Sequence, residues 1–361
     1  MCDTPTGTPE DVTGAAAPGT SRRHLLQSAL TAGRAALAVG ALGTARPAAA
    51  RAAATGTAAG GDRIVVLGLD GGPKINTAAP PLPSAKPALA LVAGGSTYLV
   101  DCGLDTTRQL VRAGLSFADV HDVLLTHHHL DHTSGLPGLA LHSWTTTPAR
   151  GDLRVWGPPS TSRQVKGVKA AFGEEVDLFE SGGGFGAFPG LRGHDVTIPR
   201  RGGIQRVLED GNVVVHATRV FHGPEVEDAY AYRFTVKRTG KVVVFSGDTA
   251  APDAALIELA HGCDVLVHEA QDNDNVEKIV ASIPDRAQAA ALRTHLLESH
   301  SNVADLPGVA RAAEARTLVL SHYTPLPQPP SVYLAKARAA AERVGYRGRI
   351  VAPAELDVIA L

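Results

Sequence analysis

Residues 126–135 read THHHLDHTSG and bring four ligand-type side chains, His127, His129, Asp131 and His132, into the order His-x-His-x-Asp-His. The run before them, residues 120–126 (VHDVLLT), has the composition of a strand, and a turn at Leu136-Pro137-Gly138-Leu139 and a helix are expected after them. Four such groups on one tight loop at a strand end can enclose metal. Alternate residues His127 and His129 can converge on one ion, and Asp131 and His132 point toward a second position beside it. Neutral imidazoles with a carboxylate suit zinc and accept iron or manganese. A fortuitous histidine run would not interpose Leu130 and Asp131. His128, the middle residue of the triplet, is expected to face away from the ions.

The chain has 361 residues, 44% of them hydrophobic, and a net charge of -2, which is the composition of one substantial globular α/β domain. That charge gives no sign of a surface made to grip a polyanion. Cys2, Cys102 and Cys263 are too few for a disulfide scaffold and lack zinc-finger spacing, and a bridge between Cys102 and Cys263 stays open. Residues 1–60 read as an export segment and linker, with the domain expected over 61–361. Arg22 and Arg23 directly precede a mildly apolar run, residues 25–42, and Ala-x-Ala sites follow near 48–54. This resembles a twin-arginine signal peptide, which implies an exported protein with no stable membrane span once the signal is removed.

Residues 63–68 (RIVVLG) read as the first core strand and lead into Gly68-Leu69-Asp70-Gly71-Gly72-Pro73, whose glycines would let the backbone approach a ligand, although an ordinary turn is the simpler reading. Strands at 88–92 and 97–100 form a hairpin that finishes at Asp101. This carboxylate can hold a ligand imidazole by its free N–H, or cap the helix expected over 105–113. Beyond the metal loop, Trp144 could contact substrate, although core or rim packing is the commoner use of a tryptophan, and residues 181–190 (SGGGFGAFPG) have the composition of a mobile flap with Phe185 and Phe188 as further candidate contacts. Three later strands each run into a ligand-type residue: 213–220 into His222, 242–245 into Asp248, and 318–320 into His322. With helices at 253–260, 303–315 and 332–344, this order implies an α/β fold, a four-layer αββα sandwich of two mixed sheets flanked by helices.

The metal loop, followed in this order by His222, Asp248 and His322 at strand ends, resembles the signature of the metallo-β-lactamase superfamily of binuclear hydrolases. The resemblance covers roughly residues 63–355. It implies that His222 joins His127 and His129 at one ion, that His322 joins Asp131 and His132 at the other, and that Asp248 bridges both. It further implies two divalent cations, zinc first with manganese or iron as alternatives, and supporting roles for Asp101 and His268. Within the superfamily the chain looks most like the ribonuclease Z and zinc-dependent arylsulfatase branch, since Asp248 stands where true metallo-β-lactamases carry Cys. His268-Glu269-Ala270 and His300-Ser301 resemble ribonuclease Z motifs. His300 then corresponds to a proton donor, with Asp131 as the other candidate acid; a simple cap on the helix after Asn302 is the less favoured reading of His300.

One departure separates the two relatives. Ribonuclease Z carries its tRNA-gripping arm as a long insertion between the residues matching His222 and Asp248, and here only 26 positions separate them. With the acidic balance and the export segment, this favours an exported arylsulfatase-like enzyme that hydrolyses a small-molecule sulfuric or phosphoric ester by a hydroxide held between the ions. A nucleic-acid partner is not expected, and the oligomeric state stays open, a dimer included. The alternatives are a phosphodiesterase or lactonase built on the same ions. Outside the enzymes, a metal-retaining binding protein would be marked by a missing ligand, and none is missing.

Overall fold

The run RIVVLG is apolar on both of its alternating sides, and it folds as β1 (Arg63–Gly68), a strand buried on both faces. Ile64 and Val66 enter a core between two sheets, whereas Val65 and Leu67 point into a second core under helices. The same division continues along β2 (Ala88–Ala93), with Leu89 and Leu91 turned one way and Ala88, Ala90 and Val92 the other. In β3 (Ser96–Val100), Tyr98 and Val100 face the inter-sheet core and Leu99 the helices. A sheet that is apolar on both faces must be covered twice, and this produces the layers.

The structure is a computed structural model that describes residues 61–75, 84–148, 151–325 and 328–361. The export segment expected over residues 1–60 lies outside the described residues. In the first sheet, β4 (Val120–Leu124), β5 (Leu153–Gly157) and β6 (Leu191–Asp195) follow β3 in parallel, each paired with the next. With β14 (Val358–Ala360) against β1, the order is β14-β1-β2-β3-β4-β5-β6. The second sheet contains β7 (Gln205–Glu209), β8 (Val213–Val220), β9 (Ala229–Val236) and β10 (Val242–Phe245), joined antiparallel. From β10 it runs parallel through β11 (Val265–Gln271) and β12 (Thr317–Thr324) to β13 (Arg349–Val351).

The outer face of the first sheet is covered by α1 (Thr106–Arg112), α3 (Leu136–Thr146) and α4 (Thr161–Ala171), through Leu110, Leu139 and Val165 among others. On the second sheet lie α6 (Ala254–Ala260), α9 (Leu306–Ala312) and α10 (Pro330–Val344), through Leu256, Val309 and Tyr333. The four-layer αββα architecture is therefore present. A helical pair, α7 (Asn273–Ala281) and α8 (Arg286–Ser299), packs on itself through Val276, Val280 and Ala289 and forms a small satellite core.

Local details differ from the sequence expectation where capping chemistry overrides composition. Leu136-Pro137-Gly138-Leu139 is the first turn of α3, because proline near a helix start gives up only an N–H that has no partner there. Asp131 and His132 belong to a one-turn helix, α2 (Leu130–Thr133). Before the flap, α4 is continued by α5 (Gly173–Ser181), neither of which the sequence anticipates, and α5 buries none of its residues. Cys102 and Cys263 are both buried and unbridged. Among the described residues no helix is long and apolar enough to cross a membrane.

Candidate metal centre

Parallel strands present their carboxyl ends together, and in both sheets these ends carry the ligand-type residues. His127 and His129 follow β4, Asp248 follows β10, His322 lies near the end of β12, and His222 follows the antiparallel β8. The tertiary fold brings all seven into one cluster, buried except for the half-buried His129. His127, His129 and His222 form one group and Asp131, His132 and His322 another, each with its ligand-type atoms within 4.8 Å of one another. Asp248 lies between them. Its Oδ2 is 3.8 Å from Nε2 of His127 and of His222, and 3.3 and 3.1 Å from Nε2 of His132 and His322.

Hydrogen bonds behind the cluster fix which ring nitrogen faces it. Nδ1 of His222 lies 2.8 Å from the carbonyl of Ser299, which can only accept, so Nδ1 carries the hydrogen and Nε2 is left free. Nδ1 of His132 likewise donates to Asp101, at 2.8 Å. Asp101 also accepts from the backbone N–H of Thr126, and so ties the end of β3 to the start of the metal loop. It holds φ at 62°, and His322 at 45°, two left-handed conformations that cost energy in residues with a side chain and persist only where their surroundings require them. Asp101 therefore braces a ligand, and the alternative of a helix cap is not realised. Asp101→Ala is expected to weaken metal affinity about 10- to 100-fold, as read by competition with a chromogenic chelator. His128 turns away as expected and meets Thr161 at 2.9 Å.

The donor set fits divalent cations. Nε2 of His127 and Oδ1 of Asp248 are buried without any hydrogen-bond partner, which is unusual for groups of this polarity. Nε2 of His132 and Nε2 of His322 approach to 3.2 Å. Among the described residues, Asp131 and Asp248 have only imidazoles as ion-pair partners. Burial, and to a lesser degree the neighbouring imidazoles, holds His127 well below its ordinary range, and burial pushes His222 down to about 4, so both rings are neutral, as ligands must be. Burial opposes charge on His132, yet Asp248, Asp101 and Asp131 raise its pKa strongly, which shows how far the surrounding carboxylates favour positive charge here. The fold implies divalent metal at this place.

The glycine loop after β1, read from sequence as an ordinary turn, closes over the His322 side. Gly72 donates its N–H to Oδ2 of Asp131 at 2.7 Å. A Cβ on Gly71 would stand 2.5 Å from the His322 ring, so only glycine lets the backbone come this near. Lys86 holds the loop from behind, donating to the carbonyls of Gly72 at 2.7 Å and Lys74 at 2.6 Å, with Asp70 at 3.1 Å as its buried counter-ion. Burial raises Asp70 to about 6 in spite of Lys86. Lys86→Met leaves that carboxylate buried without a partner, and is expected to cost about 3–5 kcal/mol at pH 8. The loss should shrink at pH 5, where Asp70 is protonated in the folded state and no charge is left bare. Melting at the two pH values tests this.

His300 follows α8 and faces the cluster, its ring stacked on His322 with centroids 5.7 Å apart. Its Nδ1 lies 3.1 Å from Oε1 of Glu269, which also accepts from the backbone N–H groups of Thr249 and Ser301. Burial opposes charge on His300, but Glu269 and the hydrogen bond to it push its pKa up to about 9. Glu269 is a residue that sequence reasoning missed, and His268 is the corresponding correction. His268 is wholly buried, and its Nδ1 bonds the backbone carbonyl of Glu269 rather than any ligand. Successive residues of a strand face opposite sides, so His268 and Glu269 on β11 cannot both reach the centre. The alternation of β11 was the signal that could have chosen between them.

The aromatic candidates pack with one another, which for Trp144 is the packing reading and for Phe185 and Phe188 a second correction. Trp144 is fully buried and so not available to substrate. Phe185 and Phe188 turn inward onto it, with centroids 6.3 and 5.2 Å away, and Phe179 of α5 completes the cluster. Edge-to-face packing of these rings anchors the glycine-rich segment to α3.

Buried imidazoles and carboxylates gathered where two facing sheets present their strand ends define a metal-dependent hydrolase of the metallo-β-lactamase fold. The chain belongs to the beta-lactamase superfamily, whose domain it matches over residues 96–323, and within it to the ribonuclease Z-like branch. It is 33% identical to the ribonuclease Z of Mycobacterium sp. (strain KMS) over 270 residues, which cover 72% of this chain and 86% of that protein. Solved structures that share the fold include the following two. The short form of human tRNase Z has a TM-score of 0.55 at 20% identity and covers 82% of this chain and 98% of its own. The Zn2+-bound PqqB of Methylobacterium extorquens has a TM-score of 0.54 at 14% identity, over 83% of this chain and 100% of its own.

This kinship overturns the expectation that nucleic acid is not a partner, because a protein named for its action on RNA aligns with most of the chain. The interval from His222 to Asp248 does contain only β9, a turn and the strand β10. However, a net charge of -2 describes the whole surface, whereas the potential felt by a phosphodiester is set locally by the centre and its cations.

Proposed function

We propose that the protein is a metal-dependent phosphodiesterase that uses two divalent ions, zinc first, and counts RNA among its substrate classes. The observation that carries this is the position of Asp248, whose Oδ2 stands within 3.1 to 3.8 Å of imidazoles from both ligand groups. The ribonuclease Z relatives support phosphorus as the attacked centre. His127, His129 and His222 would hold one ion, Asp131, His132 and His322 the other, with Asp248 shared. When bound, such ions neutralise charge on phosphoryl oxygens and make a water acidic enough to supply hydroxide near neutral pH. The remaining work falls to the chain. Asp101 and the Ser299 carbonyl orient His132 and His222, and the Gly71-Gly72 loop orients Asp131. Nδ1 of His300 donates to Glu269, which leaves Nε2 to protonate the departing oxygen.

Metal-loaded protein assayed on bis(p-nitrophenyl) phosphate, a short RNA and p-nitrophenyl sulfate, before and after chelation, tests the reading. Chelator-sensitive turnover of the diester and the RNA is expected. Preference for the sulfate, which the short interval between His222 and Asp248 favoured at the level of sequence, would overturn it. Export directed by residues 1–60 is a separate proposal. Fractionation of cells carrying the native sequence and the Arg22→Lys, Arg23→Lys double variant checks it, and an unchanged cytoplasmic location in both would refute it.

A further inference from the structure

The second sheet ends at β13, whose outer edge is paired with no strand among the described residues. β13 runs parallel to β12, with Arg349 opposite Thr317 and Val351 opposite Val319, and Arg349 donates its N–H to the carbonyl of Arg316 at 3.0 Å. Successive residues of a strand turn their main-chain groups toward opposite neighbours, so the N–H and C=O of Ile350 point away from β12. Such an edge is a template for another strand. Brevity and charge keep natural edges from pairing at random, and β13 has both. Its charge, however, has a single sign.

Beside this edge a recess of about 590 Å³ opens between β13 and α10. Leu334 and Ile350, both half-buried, contribute apolar surface to it, and Arg338, Arg347 and Arg349 line it against one acid, Glu342. All three arginines are exposed, and among the described residues none of their guanidinium groups has a hydrogen-bond or ion-pair partner. Two other arginines of this region do have partners. Arg316 meets Asp264 at 2.8 Å, and Arg343 donates to the carbonyl of Ala339 at 3.1 Å. A chain with a net charge of -2 therefore gathers three uncompensated cations at one free sheet edge.

We propose that this edge is a docking site for an extended acidic segment of a partner protein, which pairs with β13 as a further strand and sets its carboxylates against Arg338, Arg347 and Arg349. Each alternative occupant fails one of the two observations. A second copy of β13 would set guanidinium groups against one another, and a nucleic-acid strand would meet the arginines but leave the outward groups of Ile350 without a ladder. A peptide strand answers both, because its backbone supplies the hydrogen bonds and its acidic side chains the charge. The site is separate from the reaction. From Thr317, opposite Arg349, β12 runs five residues on to His322, roughly 16 Å at about 3.3 Å per residue.

Fluorescence anisotropy of the metal-loaded full chain with a labelled alternating Glu-Val peptide of about eight residues, enough for an ordinary strand, tests the site. Saturable binding is expected. The same peptide N-methylated at alternate residues, which cannot complete the ladder, should bind at least about tenfold more weakly. A Lys-Val peptide of equal length should lose at least as much, through repulsion. Replacing the two exposed arginines by Arg338→Ala and Arg349→Ala should weaken the Glu-Val peptide about fivefold, with the melting temperature and turnover of bis(p-nitrophenyl) phosphate unchanged. No binding up to about 1 mM peptide, equal affinity for the N-methylated or the Lys-Val peptide, or an affinity that survives the double substitution would overturn the proposal. So would a short RNA that displaces the peptide and loses its own affinity in the same variant, because the occupant would then be nucleic acid.

Discussion

Asp248→Asn is expected to lower turnover of a phosphodiester by about 10³-fold or more, equivalent to ~4 kcal/mol of barrier, and to lower metal content in parallel. The substitution preserves volume, so packing around this buried position should survive. What changes is charge. Oδ2 stands within 3.1 to 3.8 Å of four imidazole nitrogens and Oδ1 has no hydrogen-bond partner, so the charge of the carboxylate is what ties it to the site. An amide supplies neither the negative charge nor two equivalent oxygens for two cations. Metal per chain measured by inductively coupled plasma mass spectrometry, together with the melting temperature, separates loss of metal from loss of fold. Full metal occupancy in the variant would show that Asp248 is not a shared ligand.

The second large effect should depend on the leaving group. His300→Ala is expected to slow hydrolysis of alkyl phosphodiesters by about 10²- to 10⁴-fold, the range for a positioned general acid. For p-nitrophenyl esters the loss should stay below about tenfold, because a phenoxide of low basicity departs without a proton. Glu269→Gln tests how that acid is prepared. The amide still offers an oxygen to the backbone N–H groups of Thr249 and Ser301, but it withdraws the charge that raises His300 to about 9. With that charge gone the pKa of His300 falls, so the ring loses its proton at lower pH. The basic limb of the alkyl-ester profile should then move to lower pH, while the aryl-ester profile changes little. Equal losses on alkyl and aryl esters in His300→Ala would assign His300 a structural role.

Periodicity and composition carry far in this chain. Apolar runs such as RIVVLG, on which both alternations are hydrophobic, require two covered faces, and the layered fold follows from that requirement. The loop THHHLDHTSG announces metal because its spacing has no purpose in packing. His222, Asp248 and His322 are legible at strand ends through their resemblance to a family, and the fold places them beside that loop.

Other features depend on register and on contacts between segments distant in sequence. Whether His268 or Glu269 reaches the centre is set by the pairing of β11 with its neighbours, since a shift of one residue exchanges the faces. Whether Trp144, Phe185 and Phe188 meet substrate or one another is settled by how the glycine-rich segment packs on α3, and aromatic composition serves both uses equally. Lys86 and Asp70 are 16 positions apart and carry no motif, yet burial makes them an ion pair that holds the glycine loop. Sequence by itself determined the layers, the metal-type loop and the family. Tertiary structure alone decided which carboxylate stands behind His300 and which polar groups are left without partners, because each depends on distances between residues that the chain order keeps apart.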